Sequence, residues 1–90
     1  MPSILIPGPL RYYVNNQAEV TVTGATVNLA IQDLLNQFPD FRQHVCRQDG
    51  SLRSYVNLFM NKTNINEIQG MDTPLQEEDV VQLIPSIAGG

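Results

Sequence analysis

The spacing of apolar residues changes near residue 26, and this change limits the chain to a small set of folds. Before it, residues 18–23 alternate between apolar and polar with a period of two, which is typical of a strand. After it, apolar residues recur at helical spacing: Val27, Ile31, Leu34, Leu35 and Phe38. This stripe predicts an amphipathic helix with Thr26 as its N-cap, ending at Phe38 because Pro39 follows.

A hairpin is predicted before this helix. Residues 3–6 form an apolar run that ends at the turn signal Pro7-Gly8-Pro9, and Asn15-Asn16 marks a second turn. The alternation that follows places Val20 and Val22 in the core.

Further strands are predicted after the helix. A short helical turn is expected at 40–46, strands at 55–60 and 79–84, a turn at 61–64 with a brief return at Ile65, and a loop at 70–78. The order of elements predicts an α+β fold, in which one long helix lies across one face of a mixed sheet of four to five strands.

Length and composition indicate one folded domain over residues 1–90, because 42% of the residues are hydrophobic and 16% are charged. The net charge of -4 argues against nucleic-acid binding. The basic residues are scattered along the sequence and predict no basic patch; they are Arg11, Arg42, Arg47, Arg53 and Lys62. We expect a monomer when the protein is free.

Signals for export or membrane insertion are missing from the sequence. The start of the chain lacks the cationic and apolar regions of a signal peptide, and no apolar run reaches the length of a membrane span. A single cysteine, Cys46, permits no internal disulfide. We therefore expect a soluble cytoplasmic protein with no membrane partner.

No constellation of residues predicts an enzyme or a metal site. Cys46 has no basic cluster beside it in the sequence, which favours a buried structural thiol over a reactive one. His44 is the only histidine and is expected on the surface or half-buried. An acidic stretch from Asp72 to Asp79 is either a solvated loop or a docking patch for a basic partner.

The end of the chain carries the strongest chemical signal. The run Ser86-Ile87-Ala88-Gly89-Gly90 follows closely on the last predicted strand. Its two glycines without side chains form a thin, flexible tail that fits a narrow enzyme channel. The carboxylate of Gly90 is therefore the predicted reactive group. On the preceding strand, Val80 and Ile84 share a face with Gln82, which leaves open whether they are ordinary exposed residues or a docking surface.

Taken together, these pieces resemble a ubiquitin-like sulfur carrier of the ThiS/MoaD family. The resemblance rests on the opening strand, the helix start at Thr26-Val27, the segment Val56-Asn57…Met60-Asn61 and the tail from Ile84 to Gly90. It implies a β-grasp fold and a carrier that is acted on by enzymes and binds no cofactor itself.

The family resemblance also implies a defined chemistry. An E1-like adenylating enzyme uses ATP and Mg²⁺ to activate the carboxylate of Gly90, and a sulfur donor converts it to a thiocarboxylate. Segments such as Arg53-Ser54-Tyr55-Val56-Asn57 and Gly70-Met71-Asp72-Thr73 are most similar to the cysteine-biosynthesis branch, which implies a pyridoxal-phosphate (PLP)-dependent cysteine synthase downstream.

Other functions remain open at this point. The chain could be the small subunit of molybdopterin synthase, with the large subunit as partner, or a carrier for the thiamine pathway. It could also be a protein modifier that forms isopeptide bonds, or a plain binding module whose terminal glycines are incidental.

Overall fold

Five strands form one mixed sheet in the computed structural model, which describes residues 1–85. The strands are β1 (Ser3–Leu5), β2 (Glu19–Thr21), β3 (Val56–Met60), β4 (Thr63–Asn64) and β5 (Val80–Pro85). They lie in the order β2-β1-β5-β3-β4. β1 and β5 are parallel, and the other neighbouring strands of this sheet are antiparallel. The predicted α+β class and mixed sheet are confirmed.

The first hairpin forms as predicted, with shorter strands. β1 pairs with β2 so that Ile4 lies opposite Val20. The pairing is extended at both ends by backbone hydrogen bonds from Ile6 to Ala18 at 2.8 Å and from Val22 to Pro2 at 2.9 Å. Val20 and Val22 are both buried, as the alternation predicts.

The long helix, α1 (Val27–Gln37), begins at the predicted residue and ends one residue before Phe38, which is its C-cap. The Thr26 hydroxyl oxygen accepts a hydrogen bond from the Leu29 N–H at 3.3 Å, which confirms Thr26 as the N-cap. Ala30, fully buried, belongs to the inward stripe as well.

One hydrophobic core joins α1 to a single face of the sheet, which we call the inner face. Its members from the strands are buried and alternate with residues of the opposite, outer face; they are Ile4, Val20, Val56, Leu58, Val81 and Leu83. Gly24 lies where the chain passes close to α1: a Cβ there would stand 2.6 Å from the Ala30 nitrogen. Glycine is therefore required at this position.

The segments between the strands contain most of the differences from the sequence predictions. Pro7-Gly8-Pro9 is not a simple turn, because Gly8–Val14 forms a 3-10 helix that buries Val14. The β3–β4 turn is tighter than predicted: only Asn61 and Lys62 have positive φ, at 53° and 71°.

β4 therefore occupies Thr63–Asn64, within the predicted turn, and Ile65 begins a 3-10 helix, Ile65–Glu67, instead of a strand. The predicted loop at 70–78 also contains a 3-10 helix, Gly70–Asp72. The short helical turn predicted at 40–46 is confirmed as α2 (Arg42–Val45).

Candidate functional site

The predicted tail residues Ala88, Gly89 and Gly90 lie outside the described residues, which end with Pro85 in β5. β5 lies between β1 and β3 in the sheet and is hydrogen-bonded to both. β5 is therefore the described element that leads to Gly90.

The two faces of β5 alternate as predicted. Val81 and Leu83 are buried against the core, while Gln82 and Ile84 are exposed and Val80 is half-buried. Ile84 keeps 38% of its surface exposed. The structure thus places Val80 and Ile84 together on the outer face; a docking role for them stays a prediction.

Two further apolar residues, which sequence reasoning missed, lie beside Gln82 on this outer face. Leu5 of β1 and Phe59 of β3 are its register partners on either side, and both are half-buried. The period-two pattern of each strand gives its alternation, but the register between strands depends on the fold. We call Leu5, Phe59, Val80 and Ile84 the apolar patch.

A cavity of about 350 Å³ opens at the end of β1 and β5, lined by Leu5, Arg11, Ile84 and Pro85 among others. The Nε of Arg11 donates a hydrogen bond to the Ile6 carbonyl at 2.9 Å, which fixes the guanidinium beside the strands. The cavity adjoins the apolar patch and contributes one positive charge at the point where the described chain ends.

The expectation that the basic residues form no patch is wrong for three of them. Arg42, Arg47 and Arg53 line a single cavity of about 430 Å³, which we call the basic cavity. The chain folds back after α2, because the Arg47 N–H donates to the Ser51 carbonyl at 2.7 Å and the Arg53 N–H to the Val45 carbonyl at 2.8 Å. This fold-back brings together arginines that have no regular spacing in the sequence.

Cys46 lies at the basic cavity and is 3% exposed, which confirms the prediction of a buried thiol. Burial raises the pKa of this thiol above its usual value, and the charges of Arg42 and Arg53 offset only part of the rise. The thiol therefore stays protonated at neutral pH. The sequence interpretation that no basic cluster lies near Cys46 is wrong, although its inert character is supported.

His44 is half-buried, within the range that the sequence predicts. Its imidazole stacks on the ring of Tyr13 with centroids 3.8 Å apart, and its buried Nε2 has no hydrogen-bond partner among residues 1–85. The Tyr55 hydroxyl donates to the His44 carbonyl at 3.3 Å. His44 therefore packs between neighbouring elements.

The acidic stretch is largely exposed, which fits both a solvated loop and a docking patch, so the docking role stays a prediction. Asp72, Glu77 and Glu78 are exposed. The carboxylate of Asp79 accepts a hydrogen bond from the Gln76 N–H at 2.8 Å and so closes the turn before β5. Within residues 1–85, no cluster of three or more His, Cys, Asp or Glu side chains is arranged to bind a metal. The same residues contain no helix that is long and apolar enough to cross a bilayer.

The chain is similar to known proteins in sequence and in structure. The sequence model described as the ThiS family matches residues 4–90. The sulfur carrier protein CysO of Mycobacterium tuberculosis is 27% identical over 90 residues, which cover 98% of this chain and 97% of that protein.

Among solved structures, a chain of the BexX/CysO complex of Amycolatopsis orientalis has a TM-score of 0.87 at 22% identity, with 100% of both chains covered. Small archaeal modifier protein 1 from Methanosarcina acetivorans has a TM-score of 0.88 at 20% identity, covering 99% of this chain and 95% of that one. These similarities confirm the predicted ubiquitin-like β-grasp fold. The relatives are named as carriers and modifiers, in agreement with the prediction that the chain is not itself an enzyme.

Proposed function

The chain belongs to the ThiS family, and on this premise we propose that it is a sulfur carrier whose reactive group is the carboxylate of Gly90. An E1-like enzyme transfers AMP from ATP to this carboxylate, with Mg²⁺, and pyrophosphate leaves. A sulfur donor then displaces AMP and produces the thiocarboxylate. ATP and Mg²⁺ are bound by the activating enzyme, and because activation consumes ATP we expect the carrier to work in the cytoplasm.

The observation that supports this proposal most directly is the reach of the family match, which continues through residue 90 and so includes Ala88-Gly89-Gly90. A carboxylate accepts nucleophiles poorly, whereas an acyl-adenylate carries AMP as a good leaving group. Glycines on both sides of the last peptide bond leave the activated carbonyl unshielded by side chains.

The sheet gives the activating enzyme a fixed surface near this carboxylate. Gly90 is the fifth residue after Pro85, so at about 3.5 Å per residue the carboxylate lies no more than about 18 Å from the end of β5. We propose that the enzyme binds the apolar patch, with Ile84 and Val80 as the contacts nearest the tail. Apolar side chains on a rigid sheet supply affinity and orientation together.

Deleting Gly90 tests the proposal. The deletion moves the terminal carboxylate by up to about 3.5 Å, and a misplacement of about 1 Å can cost roughly 100-fold in rate. The rates of adenylation and of thiocarboxylate formation, measured by intact-protein mass spectrometry, should therefore fall by at least about 100-fold.

The matched control adds one residue before Met1, which changes the length of the chain but not the position of Gly90. Normal loading of the Gly90-deleted chain would refute the assignment. A lysine adduct on protein isolated from its native cell would instead support the modifier function.

We infer that the sulfur is used for cysteine biosynthesis, which the similarity to the CysO carrier supports. The anionic sulfur of the thiocarboxylate bonds to Cβ of an activated serine derivative on a PLP-dependent enzyme, and the activated oxygen group of the serine leaves. The resulting thioester rearranges to an amide, which leaves cysteine attached beyond Gly90 until a peptidase releases it.

The alternative is the small subunit of molybdopterin synthase, which passes sulfur to a pterin precursor in the large subunit. Mixing the thiocarboxylated protein with each candidate enzyme distinguishes the two. A cysteine-sized mass gain supports the cysteine branch, and conversion of a pterin precursor without that gain excludes it.

A further inference from the structure

Positive charge is concentrated in one short segment of an acidic chain. Residues 40–53 contain three of the five basic residues and two of the nine acidic ones. The rest of the chain therefore has two basic and seven acidic residues, a net charge of -5. Among the described residues, positive charge is therefore most concentrated in this segment, which favours negatively charged groups of a partner there.

The three arginines of this segment line the basic cavity, and they differ in whether hydrogen bonds hold their guanidinium groups in place. The Arg53 guanidinium donates to the Gln43 carbonyl through Nε at 3.3 Å and through one terminal nitrogen at 3.0 Å, so its position is fixed. Arg42 and Arg47 are exposed, and no hydrogen bond within residues 1–85 engages their guanidinium groups. Their donors are available to a ligand.

The two acidic residues of the segment cancel only part of this charge. Asp49 accepts hydrogen bonds from the Ser51 hydroxyl at 2.7 Å and the Ser51 N–H at 3.0 Å, and these bonds, with a smaller effect of Arg47, lower its pKa. Its carboxylate is thus engaged by Ser51 in the turn after Arg47. Asp40 lines the cavity. Three arginines and one carboxylate line the cavity, an excess of two positive charges, which one or two added carboxylates would neutralise.

The basic cavity lies near the end of β5 that leads to Gly90. Pro85, the last described residue of β5, pairs with Val56, the first residue of β3. The Val56 N–H donates to the Arg53 carbonyl at 3.0 Å, so Arg53 is in the turn that enters β3. An enzyme that contacts this end of β5 therefore approaches the turn that contains Arg53.

We propose that the basic cavity binds an acidic segment of the enzyme that activates Gly90, a role that rests on the proposed carrier function. Carboxylates of that segment pair with Arg42 and Arg47, and Arg53 supplies a fixed third charge. Arginine suits this role because its planar fork can hold a carboxylate with two parallel hydrogen bonds. The contact orients the carrier, since the chain outside residues 40–53 has a net charge of -5 and attracts an acidic segment less.

Charge reversal tests the proposal on the full chain. Arg47→Glu and Arg42→Glu each change an exposed side chain in the basic cavity, and Lys62→Glu makes the same change of charge in the β3–β4 turn. The dissociation constant for the E1-like enzyme of the same organism should rise by about tenfold for each cavity variant, and by less than about twofold for Lys62→Glu. The difference should shrink in about 0.5 M salt. Equal effects at all three positions would overturn the proposal.

The wild-type chain separates this inference from the proposed function. If wild type is converted to the thiocarboxylate while the cavity variants bind as Lys62→Glu does, the carrier function stands and the basic cavity is excluded as the docking site. If wild type is not converted, the carrier function fails, and a measurement without the enzyme decides whether the cavity recognises carboxylates.

That measurement is an NMR titration of the isotope-labelled full chain with a hexaglutamate peptide and, separately, with inorganic phosphate. The peptide should shift the backbone amides of Arg47, Gly50 and Arg53, and the shifts should disappear in a folded Arg42→Gln/Arg47→Gln chain. No response of these amides to the peptide overturns the proposal. A response to phosphate at lower concentration than to the peptide overturns the assignment to a protein segment and indicates a free-anion site.

Discussion

The six residues of β5 alternate between the inner and outer faces of the sheet, and the two faces differ in burial. Val81 and Leu83 are part of the core, and burial of such side chains supplies most of the stability of a small domain. Gln82 and Ile84, one position away from them, remain exposed. Because the side-chain period of a strand is two, side chains on one face of β5 can be substituted without changing those on the other, which allows the proposed docking role to be tested apart from stability.

Of the substitutions that test this difference between the faces, Leu83→Ala on the inner face should have the largest effect, and that effect is on stability. Only 2% of the Leu83 surface is exposed. Truncation to alanine therefore leaves a cavity and should lower the free energy of unfolding by about 2–5 kcal/mol. Denaturant unfolding measures the loss. The affinity of the remaining folded protein for the activating enzyme should stay near that of wild type. If fully folded Leu83→Ala protein binds the activating enzyme much more weakly than wild type, the inner face also affects binding and the two faces are not independent.

Ile84→Asp, on the outer face, should weaken binding to the activating enzyme and leave stability nearly unchanged. Its charge stays hydrated in the free protein and loses water only when a partner covers the apolar patch. We expect the dissociation constant for the activating enzyme to rise about tenfold, equivalent to about 1.4 kcal/mol. The unfolding free energy should change by less than about 1 kcal/mol.

Ile68→Asp is the matched control, because Ile68 is also an exposed isoleucine, at 48%. It lies outside the apolar patch, just after the 3-10 helix Ile65–Glu67, and should leave the affinity unchanged. If both substitutions weaken binding equally, the apolar patch has no special role.

Cys46→Ser should have the smallest effect and tests whether a buried residue contributes to the chemistry. A persulfide on Cys46 is the natural rival to direct sulfur transfer to Gly90. Since the thiol is buried and its pKa is raised, we expect normal thiocarboxylate formation and a stability loss on the order of 1 kcal/mol. A folded Cys46→Ser chain that accepts no sulfur would refute this expectation.

The regular elements could be predicted because their patterns are local. Thr26 and Pro39 mark the limits of α1 in the sequence itself, and the alternation in β5 separates Leu83 from Ile84 without knowledge of any neighbour. For the same reason, Val80 and Ile84 were found as members of one face.

Features that depend on contacts between distant segments were missed. Leu5 and Phe59 join the apolar patch only through strand register, and the basic cavity forms only when the chain folds back after α2. Asp49-Gly50 is a turn signal that could have predicted this return and thereby placed Arg47 near Arg53. The 3-10 helix Gly8–Val14 begins within Pro7-Gly8-Pro9, a sequence that favours a turn, and such short helices have no strong period.

The parallel pairing of β1 with β5 has a consequence for how the protein is made. Ser3 pairs with Val80, so two strands from opposite ends of the chain meet at the centre of the sheet. Until β5 is available, the β1–β2 and β3–β4 hairpins have no common neighbour, and such long-range contacts slow folding. On the ribosome, the sheet can therefore close only after residue 85 has left the exit tunnel, and folding of this domain is completed after, rather than during, synthesis of its last strand.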